Sequence, residues 1–141
     1  MPTRWIAPAL LLAVLACDAG EPTGTVHPDR FPVPGSHDMG IGDTAQLVGT
    51  PYSLEVASLE SDSRCPAEAA CIWAGEVKVR AALHANPGLG IPDVELTLGT
   101  TSATVAGGLS LQITKVAPVP HAGVTIPPGD YRLTITVDQP Q

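Results

Sequence analysis

The sequence predicts an all-β domain, an antiparallel β-sandwich of about seven strands, with a small barrel as the alternative. Three observations lead there. Apolar and polar residues alternate with a period of two in several short windows. Glycine- and proline-rich turn clusters separate those windows. No comparable window carries the 3.6-residue period of an amphipathic helix.

Taken in chain order, residues 18–42 read as a tether. They hold Pro22, Pro28, Pro32 and Pro34, several glycines and few apolar side chains, too little to offset ordering entropy. Prolines keep such a stretch extended, as a spacer. A weak strand follows at 44–48. Tyr52, Leu54 and Val56 then alternate with Ser53 and Glu55, and Ala57-Ser58-Leu59 slips phase, which marks a bulge or a strand end. Val77, Val79, Ala81 and Leu83 alternate with Lys78, Arg80 and Ala82, and the turn cluster Asn86-Pro87-Gly88 comes next. Further alternations are Val94-Leu96-Leu98, Leu109-Leu111-Ile113 and Tyr131-Leu133-Ile135-Val137, with a second weak strand at 101–106. Gly107-Gly108 fits a two-residue hairpin turn, since both positions accept φ > 0. Taken literally, that register sets Ala106 opposite Leu109 and Thr104 opposite Leu111, and turns Val105 away from the Leu109 face.

The N-terminus carries a different signal. Arg4 is followed by an apolar stretch from Trp5 to Ala16, then Cys17, and this segment, ending Val14-Leu15-Ala16-Cys17, resembles a bacterial lipoprotein signal peptide. The resemblance implies cleavage before Cys17, acylation of that cysteine, and a protein held on the bacterial cell envelope, facing the periplasm or the exterior. As a helix the stretch would span only about 18 Å, short of the ~30 Å hydrocarbon core, so it is not a transmembrane anchor. Two or three acyl chains, at about 0.8 kcal/mol per buried CH₂, hold a protein stably on a bilayer. The domain organisation that follows is a signal segment through the acylated cysteine at 1–17, the tether at 18–42 and the sandwich at 43–141.

Charge and cysteine usage agree with export. Once Arg4 is removed, six of the seven basic residues and all 14 acidic residues remain, a formal charge near −8. Such a balance excludes nucleic acid and docking on anionic headgroups through basic patches. With Cys17 assigned to lipid, Cys65 and Cys71 are left as an even pair in an oxidising compartment and are expected to form a disulfide. They lie too close together to tie distant strands, as an antibody-type fold requires, so the bond staples a loop locally.

Around that loop runs Asp62-Ser63-Arg64-Cys65-Pro66, then Cys71-Ile72-Trp73-Ala74-Gly75-Glu76. The run resembles a signature of uncharacterised, secreted or lipid-anchored bacterial proteins. The resemblance implies an exported location and a β fold, and carries no activity. From the residues themselves, Pro66 stiffens the loop entry and Gly75 marks a bulge or a close approach. Trp73 is expected to cover the disulfide and cap the core, and Arg64 to pair with Asp62 or Glu76. The loop has two readings. In one it is a structural corner. In the other, Arg64, Pro66, Glu68 and Trp73 form a candidate interaction loop for a protein partner.

No nucleophile–base pair, paired ligand spacing or phosphate loop occurs, so the expectation is a non-enzymatic binding or structural module without cofactor, metal or identified small-molecule substrate. Two alternatives remain open: an envelope inhibitor or ligand of a secreted hydrolase working through the Cys65–Cys71 loop, and capture of copper or another metal through His37 and Met39 or another histidine pair.

Overall fold

The computed structural model describes residues 29–140, and within them nine strands build two packed sheets. The signal segment with Cys17, and residues 18–28 of the tether, lie outside the described residues. The first sheet has the order β1-β3-β4-β5-β6, with β1 (Asp29–Pro32), β3 (Thr44–Val48), β4 (Tyr52–Asp62), β5 (Val77–Ala85) and β6 (Val94–Gly99). The second has the order β2-β9-β8-β7, with β2 (Gly35–Gly40), β7 (Thr104–Ala106), β8 (Leu109–Ala117) and β9 (Arg132–Asp138). All pairings are antiparallel except β1 with β3. The sheets stack face to face and do not close into a barrel.

The core is the set of inward positions that the alternation marks. Leu54 and Val56 of β4, Val77, Val79, Ala81 and Leu83 of β5, Leu109, Leu111 and Ile113 of β8, and Leu133, Ile135 and Val137 of β9 are all buried. The phase slip near Ala57 is real: the β4–β5 register shifts between Val56 and Ser58 and again between Leu59 and Ser61. The literal hairpin register also holds. Ala106 faces Leu109 and Thr104 faces Leu111 across Gly107 and Gly108, whose φ values are 58° and 74°. Val105 consequently points outward, 70% exposed.

The tether boundary needs correction. Residues 29–40, read as spacer, form β1 and β2, so the folded part reaches back at least to Asp29 rather than starting at residue 43. Both are edge strands, one on each sheet, where a missing N–H is tolerated and proline therefore does not forbid pairing. The Val33–Pro34 turn carries the chain from one sheet to the other. Met39 of β2 is sealed in the core, and Phe31 packs against it from the rim. Counting β1 and β2 raises the strand number from the expected seven to nine.

Candidate functional site

At one end of the sandwich β4 and β5 run past their last paired residues into the 63–76 loop. The strand ladder continues a little way: Ser63 N–H donates to the Glu76 carbonyl at 2.8 Å, and Glu76 N–H donates to the Ser63 hydroxyl at 3.0 Å. Cys65 and Cys71 are joined in a disulfide, with Cα atoms 5.9 Å apart. Gly75, at φ 68°, brings the returning strand so close that a Cβ there would sit 1.8 Å from the Ser63 carbonyl oxygen. That contact is the physical content of the close approach expected at this glycine. In the chain-entropy account a closed loop of this size stabilises by about 2 kcal/mol. Replacing both cysteines with serine should therefore lower unfolding stability by about that amount while leaving the far-ultraviolet dichroism that of a β protein. Urea denaturation followed by dichroism checks both.

The loop is also fastened to the opposite sheet, through the 117–131 connection between β8 and β9. Arg64 does most of this. Its Nε and Nη2 donate to the Asp62 carboxylate, with a closest approach of 2.7 Å, and its Nη1 donates to the carbonyls of Val116 and Pro118 at 3.2 and 2.9 Å. The Tyr131 hydroxyl donates to the same carboxylate at 2.9 Å, and the guanidinium lies over the Tyr131 ring at 5.8 Å. Burial pushes the Asp62 carboxyl up, but the hydrogen bonds from Arg64 and Tyr131 outweigh it and leave the pKa below the ordinary value. Farther out, Ala67 N–H donates to the Pro120 carbonyl at 2.9 Å. Glu68 pairs with the His121 ring and accepts from the Ala122 N–H at 3.1 Å. The His121 bond first, and the backbone donor after it, hold the Glu68 carboxyl down to about 2.

This geometry sorts the residues of the candidate loop. Arg64 and Pro66 are half-buried against the 117–131 connection. Glu68 is spent on His121 within the chain, so a partner meets it already paired. Of the two partners expected for Arg64 the structure selects Asp62, while Glu76 takes Lys78 at 2.8 Å and the Thr101 hydroxyl at 2.7 Å. Trp73 departs from expectation. It does not cap the core but stands 80% exposed, beside Ile72 at 90%. Trp73 lies in the loop, four residues before β5 begins at Val77, and its ring stays outside the packed faces. Beside it opens a groove of about 570 Å³ between Ser63, Cys71, Trp73, Glu76 and Thr101. Arg64 and Asp62 form an ion pair, Glu68 is hydrogen-bonded to His121, and what faces outward from Cys71 to Ala74 is apolar.

The histidine–methionine pair is not assembled as a copper site. Met39 is 1% exposed, and His37 is stacked on Phe31 at 4.0 Å with its Nε2 donating to the Pro32 carbonyl. Both side chains belong to the packing between the two sheets. Among the described residues no group of three or more histidine, cysteine, aspartate or glutamate side chains converges as a metal site.

A separate cluster, unmarked by sequence spacing, lies on the outer face of the first sheet. His84 bridges Asp93 through Nδ1 at 2.9 Å and Glu55 through Nε2 at 2.6 Å. The bond to Asp93, then that to Glu55, raises the histidine pKa above its ordinary value, and the Asp93 carboxyl is correspondingly lowered. A raised histidine contributes stability fully below its unfolded pKa of about 6.5 and loses it as pH rises through the folded value. The stability gap between the wild type and His84→Gln should therefore be largest in mild acid, above the depressed Asp93 pKa, and shrink toward alkaline pH. Urea midpoints across that range measure it, and a gap that grew with pH would contradict the bridge.

No protein-family profile, curated protein sequence or solved structure matches this chain.

Proposed function

We propose that this chain is exported, acylated on Cys17, and held on a bacterial membrane as a non-enzymatic β-sandwich whose working surface is the disulfide-braced corner. The observation that carries the reading is the outward pair Ile72 and Trp73, mounted on a loop fastened by the Cys65–Cys71 bond, Arg64 and Glu68. Soluble domains put such side chains inside, and large exposed apolar residues on a rigid support are the usual mark of a contact surface. Rigidity helps because the ordering cost is met before contact. The signal-peptide resemblance, the acidic balance and the Asp-Ser-Arg-Cys-Pro signature support the envelope location.

Metabolic labelling with an alkyne fatty acid tests the anchor. Wild-type protein should take up the label and partition into detergent, while Cys17→Ser should remain unlabelled. Label-free wild-type protein that stays in the aqueous phase would remove the anchor from the account.

A further inference from the structure

The groove beside Trp73 is lined by two kinds of side chain. Trp73, Cys71 and Ala74 are apolar, while Ser63, Glu76 and Thr101 bring oxygen atoms. Its volume of about 570 Å³ falls in the ~300–1,000 Å³ range of small-molecule sites, which pair an apolar lining with a few placed polar groups. The groove is braced before any ligand arrives, because the disulfide closes the loop and the Ser63–Glu76 backbone bond joins its two ends. The oxygens keep hydrogen-bonding capacity. Glu76 accepts from Lys78 on one carboxylate oxygen and from the Thr101 hydroxyl on the other, which leaves a lone pair on each. Thr101 spends its proton on Glu76 and can still accept. The bond from Lys78, then that from Thr101, lowers the Glu76 pKa, so the group is a carboxylate at neutral pH.

The charge balance selects the ligand. Lys78 already neutralises Glu76, so a cation finds no unmatched carboxylate. Among the described residues that line the groove none is basic, and the chain carries a net charge of −7, so an anion is repelled. A wholly apolar ligand would cover the carboxylate and hydroxyls without returning their hydrogen bonds to water. A neutral molecule with an apolar face and a rim of hydroxyl donors satisfies both kinds of lining. A β-linked pyranose has that form: ring C–H bonds point to its two faces and hydroxyls lie equatorially around its edge. Those slightly positive C–H groups match the negative face of an indole. We propose that this groove binds a neutral glycan of β-linked pyranose rings, one ring stacked on Trp73 with its hydroxyls donating to Glu76 and Thr101. The proposal rests on the corner being the working surface, as read above, and not on the lipid anchor. An α linkage leaves its ring through an axial bond that crowds one face, so α-linked chains stack less well.

The full chain, expressed with its own N-terminal segment and purified in detergent, is titrated with cellotetraose, chitotetraose and maltotetraose. Calorimetry reads binding, and Trp73 emission under iodide reads its place, with Trp73→Ala as the emission blank. The two β-linked sugars should bind, shift the emission to the blue and protect it from iodide, and α-linked maltotetraose should bind more weakly. By calorimetry Trp73→Ala should weaken binding about tenfold or more, and Thr101→Val about threefold, both at exposed positions that folding does not use. Leu89→Ala, in the loop at the other end of the sandwich, should leave binding unchanged. Tighter binding of chitotetraose assigns an N-acetylated wall glycan and tighter binding of cellotetraose a plain glucan, and either supports the proposal. β-Linked sugars that give neither heat nor an emission change overturn it, as does binding that survives Trp73→Ala. Iodide protection that comes only from an envelope protein fraction overturns the glycan and leaves the corner a contact surface. Trp73 open to iodide under every condition overturns the corner reading as well.

Discussion

Gly75→Ala should cost about 3 kcal/mol or more of unfolding stability, the largest effect expected of a methyl added at any of the described glycines. Two penalties combine. A left-handed φ of 68° costs a non-glycine residue about 1–2 kcal/mol. The new Cβ would also lie 1.8 Å from the Ser63 carbonyl oxygen and 2.9 Å from Arg64 Cα, backbone atoms that cannot swing aside. Either the β4–β5 ladder opens at its end or the disulfide loop shifts, and the second outcome drags Arg64 from its carbonyl partners. Gly88→Ala separates the two penalties. Gly88 has φ 88° with nothing within 4 Å of a built Cβ, so only the conformational cost of about 1–2 kcal/mol applies. Urea denaturation of both variants gives the comparison, and equal losses would mean that the close approach at Gly75 is not there.

Removing the Asp62 carboxylate should be nearly as damaging. Asp62→Ala leaves the Arg64 guanidinium, 15% exposed, without its anion and takes the acceptor from the Tyr131 hydroxyl. Breaking one side of a buried pair costs about 3–5 kcal/mol, and the residual exposure here places the expectation at about 3. The charge is the source of the loss, so Asp62→Ala combined with Arg64→Leu should lose less than the sum of the two single changes. Additive losses in that cycle would reduce the pair to a surface contact. Acid acts in the same direction. The carboxyl is lowered below its ordinary value, so its contribution is complete above about pH 4 and fades as pH falls through the depressed value.

The central strands were legible because each buries one face. Val77-Val79-Ala81-Leu83 and Leu133-Ile135-Val137 state their register by period alone, and the phase slip at Ala57-Ser58-Leu59 marks the bulged stretch of β4. The disulfide was legible from parity and compartment. Less visible were β1 and β2, short edge strands rich in proline and glycine, whose pairing partners lie elsewhere in the chain. The fastening of the corner was invisible for the same reason. Glu68 and His121 are 53 residues apart, and Asp62 and Tyr131 are 69 apart, distances at which no spacing rule operates. Trp73 was misplaced by proximity: two positions after a cysteine looks like a core site. Trp73 belongs to the loop that precedes β5, outside the alternation that marks inward positions, and its ring faces solvent.

The proposed protein is an exported chain, lipidated on one cysteine and stapled by the other two. Intact mass of the protein purified from membranes, unfolded and alkylated without reductant, reads all of this at once. The expected species begins at Cys17, carries two or three acyl chains, and has gained no alkyl group, because Cys65 and Cys71 are paired. Two alkyl adducts would show an open corner, and a chain beginning elsewhere without lipid would contradict the anchor.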